Sequence, residues 1–122
     1  MGIIKMKKVI YIGSVQKDIE AFSIKIRQRI MSALTVISVE LELSPKEFKY
    51  MPIVGVGCYE LRLKIDRQYR VFYVAKFHEA IYVLHAFVKK TEKTSKSDII
   101  LGAARYKALL NYRREKKYDK KD

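Results

Sequence analysis

The sequence predicts an α+β fold, with an N-terminal strand and a helical pair packed on a mostly antiparallel sheet and a last helix near the C-terminus. Three observations carry this. Apolar residues recur at three- and four-residue steps between Val15 and Leu41, the hydrophobic period drops to two at Tyr59, and a helical stripe resumes after Ser97.

The elements follow in order. Val9-Ile10-Tyr11-Ile12 is a short run of β-branched and aromatic residues ended by Gly13, a strand signature. Ser14 suits an N-cap, with Asp18 in the first turn. The stripe Val15, Ile19, Phe22, Ile26, Ile30, Ala33, Leu34, Ile37, Leu41 is long for one helix in a chain of 122 residues. It reads as two helices folded back within Val15–Leu43, broken at Ser23 and stopped by Ser44-Pro45. Lys46–Gly57 reads as a loop. Tyr59, Leu61, Leu63 and Ile65 then alternate with Glu60, Arg62 and Lys64, which gives a strand one apolar and one polar face. Asp66-Arg67-Gln68 connects it to a second strand, Tyr69–Lys76. A third, Ala80–Lys89, is apolar on both faces and therefore central. Ser97 or Ser95 can cap a final helix that buries Ile100, Leu101, Ala104, Ala108 and Leu109. The chain reads as a single domain, 1–122, with its core at about 9–110 and a charged tail, 111–122, that frays into solvent. With the helices on one face of the sheet, the other face, carrying Arg62 and Lys64, is left open for a ligand.

Lys and Arg number 26 against 13 acids, a net charge of +13. That much self-repulsion fits a polyanionic partner, since neutralising phosphates releases counterions. An anionic membrane surface is a further option, unsupported by any basic helix beside an apolar anchor. The apolar runs are too short to span a bilayer, and no signal-peptide core follows the basic start Met1–Lys8. With Cys58 as its one cysteine, the chain suits a reducing compartment, the cytoplasm. Cys58 itself reads as a small buried residue before a strand rather than a nucleophile.

Metal catalysis has little to build on. His78 and His85 lack carboxylates at ligand spacing, and no cofactor motif is present. The cations are better placed. Glu60, Arg62 and Lys64 share a strand face, Arg70 comes near Arg62 across the turn, and Lys89 and Lys90 end the central strand. Tyr59, Tyr69, Tyr73 and Tyr82 are interleaved with them. Cations for the backbone and rings for the bases suit single-stranded RNA, although strand tyrosines are ordinarily core and alternating Arg and Lys ordinarily a solvated face. Ribonuclease chemistry without a metal needs a proton acceptor, a donor for the leaving oxygen, and fixed positive charge around phosphorus. Arg62 and Arg70 supply charge in a bidentate geometry. A lysine among other cations has its ammonium form disfavoured and becomes a conceivable base or acid. His85 is the alternative carrier, or else a satisfied histidine of the sheet.

Several stretches carry a family resemblance. They are Tyr59-Glu60-Leu61-Arg62, Tyr69–Phe77, and Val83-Leu84-His85-Ala86-Phe87-Val88-Lys89-Lys90-Thr91 with Lys93-Thr94 after it. Gly13-Ser14, Lys17-Asp18-Ile19, Ala21-Phe22, Asp98 and Ala104-Arg105-Tyr106 fit the same pattern. Over about 9–110 the chain resembles the phage-derived Gp49-like family of the RelE/ParE toxin superfamily, which includes HigB-type proteins. Ser23 stands where that family often has proline. The resemblance implies a RelE-like fold and the toxin of a type II toxin–antitoxin system. It further implies an endoribonuclease cleaving mRNA bound to the ribosome, with a helix-turn-helix antitoxin as partner. By position it points to Arg62, Arg70 and Lys90 as catalytic. Lys64, Tyr73, Lys89, Lys93 and Tyr106 become RNA-binding candidates, Tyr73 or Tyr106 standing in for a base-stacking tyrosine with no clear match. Two rivals stay open: a ParE-like gyrase inhibitor, and a non-catalytic RNA-binding module.

Overall fold

The computed structural model describes residues 6–121; the start of the basic segment, residues 1–5, lies outside them. In chain order the elements are β1 (Lys8–Tyr11), α1 (Val15–Glu20), α2 (Ile24–Ser38), a 3-10 turn (Pro45–Glu47), β2 (Phe48–Tyr50), β3 (Cys58–Ile65), β4 (Arg67–Val74), β5 (Ala80–Lys89), α3 (Lys96–Glu115) and a 3-10 turn (Tyr118–Lys121). The strands form one sheet in the order β1-β5-β4-β3-β2, antiparallel except for the parallel pair β1–β5. This is the α+β architecture expected; β5 has the bounds read from the sequence and is an interior strand between β1 and β4, while β4 holds the central place.

The helical pair breaks at Ser23, whose hydroxyl caps α2 by accepting from the Ile26 N–H. Val15, Ile19, Ile26, Ile30 and Leu34 pack onto Leu61, Leu63, Val71, Ile81 and Val83. Helix α2 stops at Ser38, earlier than the expected Leu43. Glu40 turns left-handed (φ 62°), and Leu41, the last residue of the apolar stripe, is exposed. Ser44-Pro45 starts a turn instead of ending a helix. The Ser44 side chain accepts from the backbone, and the Glu47 carboxylate reaches back to the Ser44 N–H, a capping box. The expected loop 46–57 contains β2, three residues long and so too short to show a period.

The largest correction concerns the second face of the sheet. Helix α3 lies across it and buries Phe72, Val74, Tyr82 and Leu84 with Leu109. Gly102 permits the close approach, for a Cβ there would stand 2.7 Å from the Phe72 ring. Ser95 caps this helix by accepting from the Asp98 N–H. The charged tail does not begin at residue 111: α3 runs to Glu115, and Arg113 is buried against Glu79. Only the end of the second face around Arg62, Arg70 and Lys89 remains open.

Candidate nucleic-acid interface

Cross-strand register sets out that open end in rows. Partners across a pleated sheet share a face. Lys49, Glu60, Phe72 and His85 form the first row; Arg62, Arg70 and Phe87 the second; Lys64, Gln68 and Lys89 the third. The expected closeness of Arg62 and Arg70 is therefore direct pairing. A groove of about 610 Å³ runs along these rows, lined by Arg62, Lys64, Gln68, Arg70 and Lys89 from the sheet, Arg29 from α2, and Ser44, Lys46 and Glu47 from the turn. Its six cations face one lining acid, Glu47, whose carboxylate is occupied by the Ser44 N–H.

Glu60 lies beneath the arginines, 1% exposed. Its Oε1 stands 3.4 Å from both Arg62 Nε and Arg70 Nε, while Thr94 Oγ1 donates to its Oε2 at 2.9 Å. Neither Nε is aligned for a hydrogen bond, so these are charge contacts that hold the guanidinium groups from below. One carboxylate thus serves two guanidinium groups, and the surplus charge faces the groove. Arg70 is fastened further by hydrogen bonds to Tyr69 O and Gln68 Oε1. Burial, then the Arg62 charge acting against the Glu60 charge, weaken its hold on its proton, yet an arginine remains charged near neutrality. Lys89 has its ammonium pushed below the ordinary lysine value by desolvation first, then by Arg70, with Arg62 and Lys49 adding to it and Glu60 opposing.

Lys89, not Lys90, joins the cluster, because of a bulge in β5. Val83 pairs with Tyr73 but His85 pairs with Phe72, so Leu84 is an extra residue and the side-chain alternation shifts beyond it. Lys90 and Lys93 are exposed beyond the strand and do not line the groove. The same shift turns His85 to the α3 side. There it is 6% exposed, stacked on Phe87 (4.8 Å between centroids), with Nε2 2.7 Å from Asp98 Oδ1. His85 therefore ties β5 to the start of α3, one row behind the groove, in the setting of a satisfied sheet histidine.

The tyrosines are corrections too. Tyr59, Tyr69 and Tyr73 sit at odd positions while Arg62, Lys64 and Arg70 sit at even ones, so the rings point to the α2 face. Tyr73 is 5% exposed and stacked on Tyr59; it cannot hold a base. Tyr82 is fully buried under α3. Tyr106 packs on Gly55 and donates to Val56 O, away from the groove lining. Glu60, Arg29, Lys46, Gln68 and Thr94 were missed as site residues. Parity alone could have flagged Glu60 and Gln68; the others are brought in by tertiary contact. The Cys58 thiol is fully buried and pushed up to about 12 by desolvation and the Glu60 charge, which removes it as a nucleophile at neutral pH. Among the described residues no helix is long and apolar enough to cross a membrane.

Fold and groove together define a class: a mixed α+β domain whose five-stranded sheet carries a cationic groove at one end. The chain belongs to the phage-derived protein Gp49-like family (DUF891), whose family model matches residues 17–107. This is a RelE/HigB-like toxin family, so at the coarse level the chain is a toxin of toxin–antitoxin type, a context that brings an antitoxin as partner. No curated protein matches the sequence significantly.

Proposed function

We propose that this toxin is a metal-independent endoribonuclease that cleaves mRNA, on the ribosome, and that the groove over Glu60 is its active site. The observation that carries the reading is the Arg62–Arg70 pair standing over one shared carboxylate, with an acidified Lys89 in the adjoining row. Fixed positive charge held in place by one carboxylate, with a proton-carrying lysine beside it, suits the charge that develops at phosphorus during cleavage.

The chemistry follows from these groups. The ribose 2′-oxygen attacks the neighbouring phosphorus and gives its proton to solvent water, the P–O5′ bond breaks, and the leaving 5′-oxygen takes a proton from Lys89, which is reprotonated from solvent. The products are a 2′,3′-cyclic phosphate and a 5′-hydroxyl. Charge builds on the phosphorane oxygens, where Arg62 and Arg70 stabilise it without reorganising, because Glu60, Gln68 and Tyr69 O already hold them. Lys89 acts as the general acid, since a cationic neighbourhood makes its ammonium a better donor to the leaving oxygen. Lys64, Arg29, Lys46 and Lys49 steer and grip the backbone.

Induced expression with mapping of new RNA ends tests the reading. Cuts in phase with codons, bearing cyclic phosphate termini and reduced about a hundredfold in Arg70→Ala, are the expected outcome. Gyrase-linked DNA breaks without RNA cuts would establish the gyrase-inhibitor reading. Bound but uncut RNA would leave only the binding module.

A further inference from the structure

The bulge in β5 leaves Leu84 without a register partner on either side among the described residues. Toward β4 the pairing passes from Tyr73–Val83 to Phe72–His85; toward β1 it ends at Tyr11–Val83, where the Ile12 N–H donates to Val83 O. The backbone of such an extra residue has to find its hydrogen bonds outside the ladder. For the Leu84 carbonyl the partner is Arg105 of α3, whose Nη1 donates to it at 2.9 Å. The segment joining β1 to α1 holds the guanidinium from its other side. Arg105 Nη2 donates to Ser14 Oγ at 2.9 Å, and Asp18 Oδ2 stands 3.8 Å from Nη1. Ser14 occupies the N-cap position of α1 but makes no side-chain cap bond; its hydroxyl is committed to Arg105 instead. Gly13, left-handed at φ 63°, leaves room for the arginine, for a Cβ there would stand 2.9 Å from Arg105 Nε. Gly13, Ser14, Asp18 and Arg105 thus converge on one carbonyl, away from the groove lining.

We propose that Arg105 is a positioning residue for the groove: it fixes the β5 bulge at Leu84 and thereby keeps Lys89, not Lys90, beside Arg62 and Arg70. The proposal rests on the nuclease reading above and deepens it, since Arg105 lies outside the groove and acts only through β5. Side chains of a strand alternate, so every position beyond an extra residue depends on where that residue sits. Val83 and Ala86 belong to the core on the α2 side, Leu84 and Phe87 to the core under α3. A bulge that migrated toward the end of β5 would carry Lys89 off the cationic row. Repulsion favours that migration, because Lys89 shares its row with Lys64 and adjoins the Arg62–Arg70 pair. A charged donor on the Leu84 carbonyl opposes it with a bond stronger than an ordinary backbone pair.

The test uses the full chain with Arg105→Met, Arg105→Lys and, as a control for lost stability at the far end of α3, Arg113→Ala. Each is measured for melting, RNA affinity, single-turnover cleavage against pH, and amide hydrogen exchange. Competitive acylation of amines across pH, read by mass spectrometry, gives the Lys89 midpoint without RNA. Arg105→Met is expected to speed exchange at amides within 84–87 and to slow cleavage about tenfold through misplacement, with RNA affinity within about twofold. The acylation midpoint and the alkaline limb of cleavage should both move up toward the ordinary lysine value, as Lys89 leaves its desolvated place near Arg70. Arg105→Lys keeps one donor for Leu84 O and should give smaller changes in the same directions, so it decides the matter if Arg105→Met does not fold. Adding Lys89→Ala should cost less rate on Arg105→Met than on the wild type, since both residues act on one step. Lower melting with the wild-type midpoint and limb, the pattern expected of Arg113→Ala, would overturn the proposal and leave Arg105 a structural staple. Full additivity with Lys89→Ala would overturn it as well. If the wild type cuts no RNA while exchange and acylation still depend on Arg105, the nuclease reading falls and the hold on Lys89 stands. Wild-type cleavage with exchange and acylation indifferent to Arg105 does the reverse.

Discussion

Two buried carboxylates on the α3 side of the sheet are handled in opposite ways. Glu79, just before β5, is held by well-aligned bonds: Arg113 grips it with Nε at 2.8 Å and Nη2 at 3.1 Å, Tyr82 donates its hydroxyl, and His78 Nδ1 stands 3.7 Å away. The Arg113 guanidinium also lies 3.7 Å over the Phe77 ring. Burial alone would raise the Glu79 carboxyl, but the hydrogen bonds from Arg113 and Tyr82 outweigh it and hold it below the usual range. Glu60 is instead shared by two guanidinium groups at 3.4 Å without an aligned Nε hydrogen bond, beside Lys89 and open to a groove. Balanced charge with good geometry closes the Glu79 end and pins α3. Unbalanced charge at the Glu60 end costs stability and leaves an excess of cations lining the groove, as a site for a phosphate requires.

The largest expected effect is at the closed end. Arg113→Ala strands a buried carboxylate and should cost about 3–5 kcal/mol of stability, read by thermal or denaturant melting. Cleavage per folded molecule should not change. Because the folded Glu79 value is depressed, its contribution is present above the unfolded carboxyl pKa. That contribution is lost as pH falls through the lower folded value, so the acid-melting difference between wild type and variant should shrink there.

At the open end the larger loss is in rate. Arg70→Ala should slow single-turnover cleavage on programmed ribosomes about a hundredfold, close to 3 kcal/mol, while affinity falls far less. Melting temperature should fall by less than for Arg113→Ala, since two hydrogen bonds of Arg70 are lost but Arg62 still faces Glu60. Equal losses in rate and affinity would reduce Arg70 to a phosphate grip and erase the contrast. Arg62→Ala, at the more exposed partner, should cost about 1.5–3 kcal/mol of RNA affinity, with a shallower salt dependence in binding assays.

Lys89 gives a pH test with two signs. As the acid, it should make cleavage fall as pH rises through a midpoint below the ordinary lysine value. Over the same window, up to the unfolded lysine pKa, fold stability should rise, because the folded chain has already released a proton that the unfolded chain keeps. Lys89→Arg keeps the charge and should flatten the alkaline limb of the rate profile. The smallest effect belongs to Lys90→Ala: within about twofold in rate, since the side chain is exposed outside the groove. A large rate loss there would restore Lys90 and put the bulge argument in error.

The sequence by itself determined the existence of β3, β4 and β5, the break at Ser23, and the nearness of Arg62 to Arg70, because periods of two and 3.6 are local properties. The turn proved to be Asp66 alone instead of Asp66-Arg67-Gln68, so β4 runs Arg67–Val74 instead of Tyr69–Lys76 and the two arginines pair directly. Even the failure of Tyr73 as a base-stacking residue was legible, for its odd position against Arg70's even one is simple parity. Other features needed the whole fold. Apolar residues around α3 could not say which face of the sheet it would cover, and a three-residue strand such as β2 shows no period at all. Lys89 and His85 depended on something subtler still: the extra residue Leu84, which no local pattern marks, reverses the alternation for the rest of β5. That reversal carries Lys89 onto the cationic face in place of Lys90 and turns His85 toward Asp98. Which lysine meets the arginines was thus settled where β5 pairs with β4, since only pairing between distant strands can place a bulge.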